Sequence, residues 1–334
     1  MIQSSRIMYI FSLIFACSLF FGFSHTTHAQ TSADSIFTDI IPETPGAFQD
    51  VTIKLKSYSY NLLGSKITWT VDGKVVLSDT GAINYSFKTK DVGKATNIMI
   101  TILTGGETIQ KGISIQPQNV DMLWEAPDSY VPPFYKGKAL PATEGQIRVV
   151  AFPIVKSSNG TPIKTNDFIY KWSKNFGYVQ SASGYNKQAF SLYSDYFNDQ
   201  ETVSVEIIGI SQQYKAQKTI KIKPSSPKVV FYKEDPDWGT YYNKALGRNT
   251  SVTTGTTIVA APYNFSPKNP NSPFIRYTWL INDKTVRKSG PLNKLSLAVG
   301  STTDSNLAKI DLSLENTSKL FQKASHYLVV NLIQ

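Results

Sequence analysis

Apolar and polar residues alternate in nearly every hydrophobic stretch of this chain. Val51-Thr52-Ile53-Lys54-Leu55-Lys56 has a period of two, as do Ile98-Met99-Ile100-Thr101-Ile102, Val203-Ser204-Val205-Glu206-Ile207 and Ile220-Lys221-Ile222-Lys223. Such runs set one face on a core and the other in water, the habit of antiparallel sheets. Asp72-Gly73 and Gly105-Gly106 each fall between two of these runs and suit tight hairpins whose central residues take positive φ. Long stretches of 3.6-residue period are absent. The one exception is Thr317 to Ala324, where Thr317 or Ser318 would cap a short helix before the last strand.

A second pattern overlies the first. Trp69, Trp172 and Trp279 each sit in a strand-like run, and each is followed by a Ser/Thr-Gly pair: Thr80-Gly81, Ser183-Gly184 and Ser289-Gly290. The Trp-to-Gly interval is 12, 12 and 11 residues, and the tryptophans lie 103 and 107 residues apart. A recurrence of that length is a repeated domain, too long for a solenoid unit. The three indoles, with Phe87 and Phe190 on the strand after the glycine, are expected core residues between two sheets. Truncating Trp172 to alanine is expected to unfold the middle domain while its neighbours stay folded.

Proline-bearing joints divide the chain into modules at 36–117, 118–224 and 225–334, the first closing at Pro117 and the second at Pro224 to Pro227. The joints are short and stiffened by proline, which predicts a semi-rigid rod. Modules two and three also match outside the tryptophan strand. Tyr135-Lys136-Gly137-Lys138-Ala139-Leu140 parallels Tyr242-Asn243-Lys244-Ala245-Leu246, and Val149 to Pro153 parallels Ile258 to Pro262.

A tryptophan strand, a Val71-Asp72-Gly73-Lys74 hairpin and the spacing Gly81 to Phe87 or Gly184 to Phe190 resemble bacterial immunoglobulin-like or PKD-type extracellular domains. The Trp-Asp-Phe-Gly-Asp-Gly signature of many PKD domains is missing, and so is the cysteine pair of antibody-type domains. The segment Leu123 to Pro141 resembles one found in secreted proteins of ultra-small candidate-phylum bacteria, which implies a cell-envelope location. The fold expected is all-β: three tandem immunoglobulin-like β-sandwiches after an N-terminal signal peptide.

That signal occupies 1–29. Arg6 gives the positive end, Ile7 to Phe23 the apolar run, and His25 to Ala29 leads to cleavage before Gln30. This predominantly apolar run of seventeen residues falls short of the roughly 20 of a bilayer span. An uncleaved N-terminal anchor is the second reading and the only route to a membrane. Cys17, the single cysteine, leaves with the signal, so no disulfide, thiolate metal site or cysteine nucleophile is expected.

The formal net charge is +10, but the lysines are dispersed. Lys218, Lys221 and Lys223 decorate one strand, where outward lysines deter sheet-to-sheet aggregation. Weak attraction to anionic envelope polymers or extracellular DNA is the functional reading. No dense basic run or nucleic-acid motif supports a specific nucleic-acid partner.

His326 is the only histidine past the signal, too little for a Ser-His-Asp site. The acidic sets Asp34, Asp39, Glu43 and Asp121, Glu125, Asp128 lack calcium-loop spacing, and Asp235-Pro236-Asp237 reads as a turn. The chain is therefore read as non-enzymatic, with no catalytic residue, metal ligand or cofactor assigned.

Candidate contact residues are aromatic. Trp124, Tyr130, Phe134 and Tyr135 lie among Pro127, Pro132 and Pro133, and module three offers Trp238, Tyr241 and Tyr242. Rigid aromatic loops give large contact area at small entropy cost, suiting envelope glycans or surface proteins. The structural alternative is that these loops cover each sandwich end and pack on the preceding domain. The function expected is that of an exported protein, extracellular, periplasmic or cell-surface. It would serve as a structural spacer or adhesive module, with a carbohydrate-binding array as the alternative.

Overall fold

A computed structural model describes residues 32–164, 166, 168–210, 214–298 and 307–333. The signal-peptide reading of 1–29, with Cys17, falls outside the described residues. Among the described residues no helix is long and apolar enough to cross a membrane.

The chain is all-β. Its first seven strands are β1 (Phe37–Ile41), β2 (Asp50–Lys56), β3 (Lys66–Val71), β4 (Lys74–Thr80), β5 (Asn84–Lys88), β6 (Thr96–Thr104) and β7 (Glu107–Ile115). Next come β8 (Asn119–Glu125), β9 (Gln146–Ile154), β10 (Phe168–Lys174), β11 (Gly177–Tyr178), β12 (Gly184–Tyr185), β13 (Ala189–Tyr193), β14 (Glu201–Gly209) and β15 (Lys215–Ile222). The last group is β16 (Lys228–Asp235), β17 (Gly239–Ala245), β18 (Asn249–Thr253), β19 (Thr257–Tyr263), β20 (Ile275–Ile281), β21 (Lys284–Thr285), β22 (Lys294–Ser296), β23 (Leu307–Asn316) and β24 (Lys323–Ile333).

Each group makes two sheets, and one arrangement recurs. The sheet orders are β1-β2-β5 with β4-β3-β6-β7, then β13-β9-β8 with β11-β10-β14-β15, β12 also pairing β10. The third group pairs β17-β16-β19-β22 with β18-β24-β23-β20-β21, gaining the hairpin strand β17 and a strand, β18, that runs parallel to β24. In all three, the strand after the tryptophan strand pairs with it, whereas the antibody constant-type sandwich carries its fourth strand on the opposite sheet. Three tandem immunoglobulin-like sandwiches result.

Alternation explains the cores. In β6 the pattern turns Ile98, Ile100 and Ile102 inward, and in β14 it does the same for Val203, Val205 and Ile207. Trp69, Trp172 and Trp279 are at most 1% exposed, so each is the centre of its sandwich. Trp172 meets Phe190 at 5.6 Å between ring centroids, and Trp279 meets Phe231 at 5.8 Å. The ring stacked on Trp69 is Tyr85, at 5.4 Å; Phe87 is half-buried. The Asp72-Gly73 and Gly105-Gly106 hairpins form with both residues at positive φ in each.

The expected helix at Thr317 to Ala324 is absent. Residues 317–322 are instead the turn between β23 and β24, and Lys323 and Ala324 open β24. The Asn316 carboxamide oxygen accepts from the Ser318 N–H at 2.9 Å and its hydroxyl at 2.8 Å, closing a local turn. A side chain that serves the backbone this way competes with helix formation.

By contacts the chain groups into two compact bodies. One comprises the segment ending at Asp39 with Ile53–Tyr85 and Asn97–Ile113; the other comprises Ile40–Thr52, Ser86–Thr96 and Ser114 onward. The second body thus contains the second and third sandwiches whole. Within it, Gln116 and Gln118 both donate side-chain N–H groups to the Lys156 carbonyl, at 3.2 and 2.9 Å.

Candidate functional site

Strand β8 runs toward the third sandwich, so the loop that follows it, 126–145, emerges at that end. It packs on the following domain, and the expectation that such loops pack on the preceding one is corrected for this loop. The Tyr130 N–H donates to the Phe265 carbonyl at 2.9 Å, and the Ser225 N–H to the Pro141 carbonyl at 2.8 Å. Asp128 joins the two sandwiches through its carboxylate, which accepts from the Gln146 N–H at 3.0 Å and the Ser266 hydroxyl at 2.8 Å. Its oxygens are thereby used in holding the joint. Among the described residues no three His, Cys, Asp or Glu side chains are grouped to hold a metal.

The turn before β24 closes the joint from the other side. Gln322, fully buried, donates from Nε2 to the Thr143 carbonyl at 2.7 Å. Its Oε1 accepts from the Ser266 N–H at 3.0 Å and from Asn316 Nδ2 at 2.9 Å. The Phe321 N–H reaches the Glu144 carboxylate at 2.8 Å, and the Phe321 ring lies flat on Tyr196 with centroids 3.5 Å apart. Tyr130, Tyr232 and Ala261 form a small buried cluster of their own between the sandwiches, with Tyr242 and Tyr263 against it.

Beside this joint is an open cleft of about 490 Å³. One wall is the loop: Pro132, Pro133, Phe134, Tyr135 and Lys136. The other is the added strand β17, with Thr240, Tyr241, Tyr242 and Asn243, and Tyr263 lies between. The rings are held in place. Tyr135 meets Tyr263 edge-on at 5.9 Å, Tyr242 meets Tyr232 edge-on at 5.2 Å, and the Tyr232 and Tyr263 hydroxyls hydrogen-bond at 2.7 Å. Burial pushes the Tyr263 phenol well above its ordinary range, and its bond to Tyr232 adds to this. Burial raises Tyr130 in the same direction, with Tyr242 contributing.

The candidates divide accordingly. Phe134, Tyr135, Tyr241 and Tyr242 come together in the cleft. Phe134 is 97% exposed, and its backbone takes φ +62°, a left-handed value unusual for a bulky residue. Tyr130 is instead buried in the joint. Trp124 packs against the second core with the Lys138 ammonium 3.2 Å over its ring, and burial lowers the Lys138 pKa. Trp238 sits alone at the β16–β17 turn, 82% exposed. That turn is built by Asp235, whose carboxylate accepts the Asp237 and Trp238 N–H groups at 2.9 and 3.0 Å. Those two bonds hold its pKa below the ordinary carboxylate value.

The matching segments at Tyr135 and Tyr242 adopt different conformations, loop and strand, so that parallel does not carry structure. The parallel of Val149 to Pro153 with Ile258 to Pro262 does, since each lies on the strand that pairs antiparallel with the first strand of its sandwich, β9 with β8 and β19 with β16. Gln322, Ser266 and Tyr263 were missed. A glutamine in a polar turn carries no burial signal, and only the aromatic Tyr263 beside Pro262 could have been picked out.

His326 stacks on Phe231 at 5.3 Å, and burial, with Arg248 nearby, lowers its pKa. Lys138, Asp235 and His326 thus have local packing or hydrogen-bonding causes for their shifts.

No protein-family model matches the chain, and no curated protein matches it. Solved structures do. One is of fibronectin(III)-like modules of CbhA from Clostridium thermocellum, 14% identical, covering 57% of this chain and 94% of that one with a TM-score of 0.28. Another is of the three N-terminal domains of the Highly Immunogenic Outer Capsid protein of bacteriophage RB49, 13% identical, covering 89% and 97% with a TM-score of 0.25. The central fibronectin-III array of RIM-binding protein is 11% identical, covering 88% and 95% with a TM-score of 0.28. The fold itself rests on the sheets and cores described above.

Proposed function

We propose that this chain is a non-catalytic, exported cell-envelope protein, a structural spacer or adhesive module that presents a binding surface at a fixed joint. The observation that carries this reading is the joint between the second and third sandwiches. Asp128, Thr143 and Glu144 bond there to Ser266, Gln322 and Phe321. Domain contacts that are merely adjacent leave relative motion as the default. Bonds across a joint that converge on the buried Ser266 and Gln322 favour fixed presentation of whatever lies beside it.

The apolar run at Ile7 to Phe23 and the likeness to PKD-type domains and candidate-phylum envelope proteins support export. The carbohydrate-binding reading gains from the cleft, which narrows it from an array of equivalent loops to one site. Cell fractionation with external protease tests the proposal: an envelope-associated, protease-accessible protein is expected. Retention in the cytosol at full-length mass would overturn it.

A further inference from the structure

We propose that the cleft between the 132–136 loop and strand β17 binds an acidic glycan chain, a sugar polymer bearing carboxylates. This rests on the adhesive reading and gives it a ligand class. The cleft's volume, about 490 Å³, lies within the range of roughly 300–1,000 Å³ usual for small-ligand sites. Its walls offer what a pyranose ring needs. The faces of Phe134 and Tyr241 can take its C–H surface, while Asn243 and Thr240 can both donate to and accept from hydroxyls.

Charge selects among sugars. Lys136 is the charged side chain lining the cleft, and it is a cation. Asp235 is not part of the wall: its carboxylate accepts from the Asp237 and Trp238 N–H groups and from the Tyr241 hydroxyl. The chain as a whole carries +10, so its long-range field also favours a polyanion. A proline-rich peptide would find the rings but leave the Lys136 ammonium unmatched, which makes the glycan the better fit.

Phe134 adds an independent reason. A phenylalanine at φ +62° is strained, and at 97% exposure its ring gains nothing from packing in the free protein. A ligand stacked on it would supply what the fold does not. The same geometry provides a clean variant, because glycine is at ease at this φ.

The test is calorimetric titration of the full chain with three probes: an oligogalacturonate, a neutral cello-oligosaccharide of equal length and a proline-rich peptide. Saturable binding of the oligogalacturonate alone is expected, weakening as salt screens the charge. Phe134→Gly should weaken it roughly tenfold, the loss of one stacking contact, while leaving the thermal midpoint undiminished. Lys136→Gln should remove the preference for the acidic chain. Preference for the neutral sugar or the peptide, or equal binding by wild type and Phe134→Gly, overturns the proposal. Retention of the Phe134→Gly protein on envelope preparations at the wild-type level would also sink the cleft, while leaving the adhesive reading standing.

Discussion

The indole N–H of Trp172 donates to the backbone carbonyl of Lys187 at 2.8 Å, so the largest ring of the second core is also tied to the loop that follows it. The same bond recurs from Trp69 to the Ala82 carbonyl at 2.8 Å and from Trp279 to the Leu292 carbonyl at 2.9 Å. The accepting residue comes just after the Ser/Thr-Gly pair in each case. All three glycines have positive φ, and a Cβ on Gly81 would come within 2.9 Å of the Leu63 carbonyl oxygen. The repeated interval is thus the length of chain needed to bring a carbonyl back to a buried N–H.

A graded tryptophan series follows from that bond. Trp172→Phe keeps an aromatic ring but strands the Lys187 carbonyl, at a cost of about 1–3 kcal/mol. Trp172→Ala loses the ring as well and costs about 3–5 kcal/mol. Because the second and third sandwiches share a bonded joint, unfolding of the second should also lower the midpoint of the third. Urea titration with a probe in each domain measures both effects; an unaltered third domain would show that the joint transmits no stability.

Gln322 gives the joint its own test. Gln322→Ala strands the Ser266 N–H and takes away the Thr143 carbonyl's donor, while Asn316 Nδ2 loses one of its two acceptors and keeps the Ser266 carbonyl. Each buried orphan costs about 1–3 kcal/mol. In calorimetry, a shared transition of the second and third sandwiches should split in two. Gln322→Met, similar in volume but without polar atoms, should split it as well. If Met restored the shared transition, packing rather than hydrogen bonding would be the link.

Much of this was readable from residue order. Period-two runs gave the strands, and the tryptophan interval gave three sandwiches, because both patterns arise from local geometry that each domain repeats. The helix at Thr317 to Ala324 was misread because the Asn316 side chain, invisible to propensity, turns the backbone instead. Trp124, Tyr130 and Phe134 look alike in sequence, yet one is covered by Lys138, one is buried in the joint and one is fully exposed. Their fates depend on which way β8 points and on the added strand β17, and neither is encoded near those residues. Asp128, weighed as a calcium ligand, has Gln146 and Ser266 as its partners for the same reason.

Alkaline pH should loosen the joint. Burial is the leading cause of the raised phenol pKa values of Tyr130, Tyr263 and Tyr277. A folded pKa above the ordinary value of 10.0 means that the unfolded chain releases those protons first. Their stabilising effect is therefore complete below about pH 10 and is lost as pH rises toward the folded values. Tyrosinate absorbance should show a class of phenols that appears only with loss of folded signal. Titration of every tyrosine in one step, with the fold intact, would contradict this.

Phe176 offers the sharpest test of strain. The hairpins after the three tryptophan strands carry Asp72-Gly73, Asn175-Phe176 and Asn282-Asp283 at their centres, all with positive φ. Glycine and the small polar residues tolerate that conformation; phenylalanine does not, at a cost of about 1–2 kcal/mol. Asn175 is well placed, accepting from the Thr202 N–H and donating to Glu201, both at 2.8 Å. Phe176 is 91% exposed at φ +69°, so its ring returns little by packing. Phe176→Gly relieves the strain but loosens the unfolded chain by roughly 0.5–1 kcal/mol, leaving a net gain of about 0–1.5 kcal/mol. The urea midpoint of the second sandwich should therefore rise. A fall would mean that the ring makes a stabilising contact in the free protein; a rise leaves its retention to be explained by something outside the fold.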